Sequence, residues 1–195
     1  VFVRDAARRK ALAHSMLGDN IRRVLHAPVT AVFLADLRPS RCLERLVELE
    51  AAAGASRREL EALQFNAAFL VDERPGPRAA RSALSETLSH ATQMPTLNST
   101  EAWAFKNAML AAQSYLLGAT ALGLDTSPME GFDARRVAEA VGAAPERYAV
   151  PLVVATGYSA DGDEGAVRRT ERLPVEEQFF FDSLEAPLLG GDDEG

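Results

Sequence analysis

Residues 107–124, NAMLAAQSYLLGATALGL, carry no charged side chain on any face. A helix that is apolar all round is expected to be buried all round. A chain of 195 residues has few elements with which to cover such a helix from every side, so a subunit interface is the economical cover. The small residues Ala108, Ala111, Ala112, Gly118, Ala119 and Ala121 would let another helix approach closely. The run also touches the roughly 17–25 residues of a membrane span. Asn107, Gln113, Ser114, Thr120 and two glycines dilute it, however, and no basic cluster flanks it. The expectation is therefore a buried helix and no membrane contact.

The rest of the composition narrows the function classes. Hydrophobic residues make up 47% and charged residues 25% of the chain, as in an ordinary globular domain. A net charge of −7 opposes non-specific nucleic-acid binding, because phosphate meets a repulsive average surface. Cys42 is the only cysteine, so no internal disulfide can form, and a reducing compartment is expected. His14, His26 and His90 share no ligand spacing, and no metal site is expected.

Along the chain, residues 1–5 alternate as a strand, and Asp5 can cap a helix over 6–17. GDNIRRVLHAP gives a short helix led by Asp19 or Asn20 and stopped at Pro28. Residues 29–37, VTAVFLADL, read as a buried strand. Two helices with charged outer faces follow, broken near Gly54, and a third covers 77–92. The uncharged helix, begun at residue 101, runs into TSPMEGFD (126–133), read as a turn. Asp133 then caps an amphipathic helix, and residues 148–160 form a second buried strand. A polar loop and an arm carrying Phe179, Phe180 and Phe181 follow, and residues 190–195 are expected to be disordered. Those rings are expected to pack on this core or on a neighbour's. Strands separated by dominant helices give an α+β sandwich. No GxGxxG supports a Rossmann dinucleotide site.

EAWAFKNAMLAAQSYLLGATALGLDTSPMEGFD resembles the central helix and flavin turn of the FMN-dependent nitroreductase family. DNIRRVLHAPVTAVFLAD upstream and RLPVEEQFF downstream resemble it in the same order, from residue 1 to about 181. The Trp103, Lys106 and Asn107 pattern and the ALGLD…P-x-EGFD wording are similar to the oxygen-insensitive nitroreductase and flavin reductase branch. The resemblance implies a helix-rich three-layer sandwich around an antiparallel or mixed sheet, as one domain over 1–189. Residues 57–97 would be its variable lid and 172–189 an extended arm. It further implies a homodimer with FMN between subunits, against both long helices.

Carried over by position, Pro128-Met129-Glu130-Gly131 resembles the turn against the isoalloxazine ring, with the Glu130 N–H at flavin N5 as the catalytic contact. Gly131 would let the backbone approach the ring, Pro128 would stiffen it, and Met129 would offer a polarizable contact. Asn20 and Arg23 match an Asn and Lys pair one helical turn apart at the pyrimidine side. Arg stands here where Lys is commoner, which keeps the charge and changes the reach. On spacing alone, Asn20 reads equally well as a helix cap. Arg172 matches an arginine that grips the FMN phosphate. Thr170 replaces a second cation, leaving Arg169 or Arg168 to serve instead.

The implied activity is NAD(P)H-dependent reduction of a nitroaromatic, quinone or flavin by a ping-pong cycle, with a small-molecule substrate the sequence does not name. Relatives with other lids dehalogenate or cleave rings, a further flavin-dependent possibility. The family's arginine- and serine-containing front segment, its Ser/Asn-rich loop and its Pro-Trp pair have no counterpart before Val1. Two readings stay open there: a piece of a longer product, or a protein that has lost half of its FMN grip. The second leads to a rival function, a non-catalytic subunit serving as scaffold or assembly partner in a larger complex. The expected compartment is the cytoplasm, or the mitochondrial matrix or another organelle if an N-terminal segment has been removed.

Overall fold

The computed structural model describes residues 1–70, 75–94, 99–158 and 171–184. The chain divides into two compact units, Val1–Ser159 and Ala160–Gly195. In the first, β1 (Phe2–Val3), β2 (Val29–Asp36), β3 (Asp125–Met129) and β4 (Tyr148–Gly157) form one sheet in the order β1-β2-β4-β3, antiparallel throughout. The helices are α1 (Ala6–Ala13), α2 (Asn20–His26), α3 (Leu43–Ala52), α4 (Arg57–Leu70), α5 (Pro75–Ser89), α6 (Thr100–Ala121) and α7 (Ala134–Ala140). The described part of the second unit holds a single 3-10 turn, Val175–Glu177, which Gln178 closes with a side-chain bond to the Leu173 carbonyl at 2.7 Å.

Strand alternation makes the three layers. Val153 and Ala155 of β4 pack with Leu12 of α1, Val24 of α2 and Val137 of α7. Leu152 and Val154, one position out of phase, pack with Ala112, Tyr115 and Leu116 of α6. The α+β sandwich expected from the sequence is therefore present, with α1, α2 and α7 on one face and α6 on the other. Each fully buried valine contributes about 1.5–3 kcal/mol of apolar transfer. Tyr115 and Thr156 join α6 to β4 through a 2.7 Å hydroxyl–hydroxyl bond that satisfies the buried Thr156 hydroxyl. Among the described residues no helix is long and apolar enough to cross a membrane.

Two expectations are corrected. First, α1 ends at Ala13, not residue 17, because Met16 is drawn off into a bridge with Phe132. Second, the stretch read wholly as a turn begins as β3, whose five residues pair with β4. The uncharged helix, whose full cover was expected to need a second subunit, is not buried all round within its own chain. Ala104, Ala112 and Ala119 form the stripe that meets the sheet side, while Leu110 and Leu117 stand 71% and 63% exposed. The alanines let α6 lie close to the sheet, and the leucines one heptad apart point the other way. Ser99 caps this helix through its hydroxyl and Gly123, at φ +72°, ends it. The polar loop at 159–170, with Arg168, Arg169 and Thr170, and the tail from 185 lie outside the described residues.

One ion pair joins the ends of β2 and β4. Arg147 donates to Asp36 through Nη2 at 2.6 Å and Nε at 3.2 Å, with its guanidinium 4.8 Å from the Tyr148 ring centroid. Hydrogen bonding from Arg147 first, with help from the Arg38 N–H, holds the Asp36 carboxyl below its ordinary value near 3.8. A depressed folded-state pKa stabilises the fold above the ordinary value, and that contribution disappears as pH falls through the folded one. Asp36→Asn is therefore expected to melt lower than the parent at neutral pH, with the gap closing in acid below the ordinary value. Thermal unfolding across that range tests this, and a gap independent of pH refutes it.

Candidate functional site at the end of the edge strand

The site begins with the position of a proline. Pro128 pairs with Val154 and has no N–H to give, so theirs is a non-hydrogen-bonded pair. The ladder bonds fall instead on the flanking pairs, Ser127 with Ala155 and Met129 with Val153. Proline is tolerated because β3 is the edge strand and position 128 faces away from its only neighbour. The same alternation turns the N–H of Glu130, the first residue past the strand, away from β4. Among the described residues neither that N–H nor the one at Gly131 has an acceptor, and the Glu130 side chain is exposed.

The turn that follows is sewn to residues 15–20. The Phe132 N–H closes it on the Glu130 carbonyl at 3.0 Å. The Gly131 carbonyl accepts from the Leu17 N–H at 2.9 Å and from Asn20 Nδ2 at 3.1 Å. Asp133 donates its N–H to the Ser15 carbonyl at 2.8 Å, and its own carboxylate caps α7. A Cβ built on Gly131 would lie 2.8 Å from Asn20 Nδ2. A side chain at 131 would therefore displace the Asn20 amide, and the glycine's φ lies outside the left-handed region.

Asn20 opens α2 but does not cap it, since Asp19 holds the cap position without a side-chain bond. Its amide instead spends one N–H on Gly131, and its Oδ1 has no partner among the described residues. One helical turn on, Arg23 donates from Nη1 to Ser127 Oγ at 3.0 Å. The two long-range bonds bring Asn20 and Arg23 to the same strand edge as Pro128, Glu130 and Gly131.

Met129 differs from its expected part. Strand alternation sends it inward, where it is 3% exposed in the cluster containing Val24 and Val153. A thioether buried in that core offers no face to a ligand, and the residue serves by anchoring the strand end. Arg172 lies in the second unit, exposed, with Nη1 donating to the Glu171 carbonyl at 3.2 Å. Arg169 lies outside the described residues. Ser127 and Leu17 were not singled out from the sequence. Reading residues 125–129 as a strand would have placed Ser127 on the α2 face, two positions from Met129.

Chemically, this edge offers two adjacent backbone donors, an amide with an unspent acceptor, and a cation with donors to spare. Such a set suits a planar heterocycle whose rim alternates acceptors and donors. Among the described residues no cluster of metal-ligating side chains accompanies it.

Comparison with known proteins places this geometry in context. Residues 24–158 match the nitroreductase family. An oxygen-insensitive NAD(P)H nitroreductase of Enterobacter cloacae is 30% identical over 157 residues, 80% of this chain and 64% of that enzyme. The chain thus spans just under two thirds of that relative's length. A nitroreductase family protein of Streptococcus pneumoniae superposes with a TM-score of 0.64 at 22% identity, covering 92% of this chain and 76% of the other. A protein of Exiguobacterium sibiricum, assigned as a nitroreductase and crystallised with FMN, gives 0.62 at 17% identity over 91% and 72%. At these identities the solved structures share the fold.

Proposed function

Because the chain belongs to the nitroreductase family, we propose that it is an FMN-dependent oxidoreductase that uses NAD(P)H to reduce nitroaromatics, quinones or flavins. Held at the β3 edge by the turn and by Asn20 and Arg23, FMN would supply hydride chemistry between the nicotinamide and the second substrate. The residues present fit that group. The Glu130 N–H is the donor for the hydride-accepting nitrogen, and the Gly131 N–H is a second donor beside it. Asn20 supplies an acceptor and a remaining amide donor, suited to an imide edge. Arg23 supplies positive charge where reduced flavin gains negative charge. No side-chain acid or nucleophile is needed, because the turn's contribution is made by backbone dipoles held in place.

A homodimer across α6 belongs to the same proposal. Leu110 and Leu117 form an outward apolar line on a helix that carries no charge from residue 107 onward, and Leu122 is exposed just past its end. A second copy with the same face would cover them isologously.

The observation that supports the reading most is the unpartnered N–H at Glu130 beside Asn20 and Arg23. The test is direct. Purified protein should be yellow or become so with FMN, quench FMN fluorescence saturably at one FMN per chain, and oxidise NADH or NADPH when a quinone is supplied. A colourless dimer that neither quenches nor turns over would refute the enzymatic reading and favour the non-catalytic subunit.

A further inference from the structure

We propose that Ser127 is the positioning residue for Arg23, and that it sets how strongly this site favours reduced flavin. The inference rests on the reading that FMN binds at this edge. Arg23 is exposed on α2, and a long guanidinium side chain loses much rotamer freedom when held in one place. Its backbone is well fixed, because the next residue, Val24, is 0% exposed. What is left to fix is the direction of the side chain.

Ser127 supplies that direction. Its pairing with Ala155 holds its Cα in the sheet, and alternation turns its side chain to the Met129 side, toward α2. From there Oγ accepts from Arg23 Nη1 at 3.0 Å, across a separation of 104 residues. The acceptor is neutral, so it orients the cation without cancelling its charge, and the other donors of Arg23 are unspent among the described residues. An aspartate would orient the guanidinium and neutralise it. An alanine would leave the charge but release its direction. A cation held near the pyrimidine side favours the anionic reduced flavin over the oxidised form, so position translates into redox balance.

The test uses the whole chain loaded with FMN and four variants, Ser127→Ala, Ser127→Thr, Arg23→Ala and the double Ser127→Ala/Arg23→Ala. Each is read by FMN fluorescence titration and by midpoint potential against reference dyes. Ser127→Ala is expected to weaken FMN binding by about three- to tenfold, the scale of one net intramolecular hydrogen bond. It should also shift the potential negative, in the direction of Arg23→Ala. Ser127→Thr keeps the hydroxyl and should restore both readouts, which a purely structural role at 127 would not require. The double variant Ser127→Ala/Arg23→Ala should match Arg23→Ala alone. Parental affinity and potential in Ser127→Ala, or additive effects in the double variant, overturn the proposal. So does an unchanged Arg23→Ala that still binds FMN, which leaves the flavin reading standing. A parent chain that binds no FMN removes that reading and this inference with it.

Discussion

Gly131→Val is expected to weaken FMN binding by about ten- to a hundredfold, equivalent to about 1.4–2.8 kcal/mol. The added Cβ would sit 2.8 Å from Asn20 Nδ2, and the branched methyls beyond it would need still more room. Asn20 must then withdraw, breaking its bond to the Gly131 carbonyl and releasing the amide from the recognition edge. Overpacking of this kind costs about 1–3 kcal/mol, so the variant should still fold with a lowered melting temperature. The double variant Gly131→Ala/Asn20→Ala sharpens the reading. Removing the Asn20 amide makes room at 131, so the stability losses of the two single changes should be less than additive. Titration with FMN and thermal unfolding of the four proteins measure both effects. Parental affinity in Gly131→Val would show that the turn is not where FMN is held.

Leu110→Glu and Leu117→Glu are expected to convert the proposed dimer to monomers. Both side chains are exposed on the single chain, so each substitution should change monomer stability by no more than about 0.5 kcal/mol. In a two-fold interface each substitution enters twice, and an unpaired buried carboxylate costs about 3–5 kcal/mol. The dissociation constant should rise by at least a thousandfold, on the order of 4 kcal/mol. Sedimentation or light scattering at matched concentrations reads the outcome. A parent chain that is monomeric, or variants that dimerise as tightly as the parent, would sink the assignment of this face.

Much of the architecture is legible in the sequence because its signals are local. The Val-rich β4, the Asp5 and Asp133 caps, and the break near Gly54 each declare themselves within a few residues. What fails is non-local. Asp-Thr-Ser-Pro-Met contains one β-branched residue and a proline, and it becomes a strand only because β4 supplies the ladder. The uncharged α6 announces that its surface wants cover, but composition cannot say how many chains provide it. At the site, the grouping of Asn20 with Gly131 spans 111 residues and comes from the resemblance, not from spacing. What a side chain at 131 would meet is the Asn20 amide, arriving from that distance. A turn reading leaves the direction of Met129 open, because alternation between inside and outside does not apply to a turn. Once it is a strand, Met129 goes in and Ser127 becomes a partner for Arg23.

The Glu130 side chain has no task in holding the turn. The carboxylate is exposed and unpaired among the described residues, while every bond that shapes the loop is made by main-chain atoms or by Asn20. Backbone geometry and surface charge are therefore set independently at this spot. Descendants of this chain could exchange the acid for a neutral or basic residue and so alter which molecules approach, with no repair needed elsewhere.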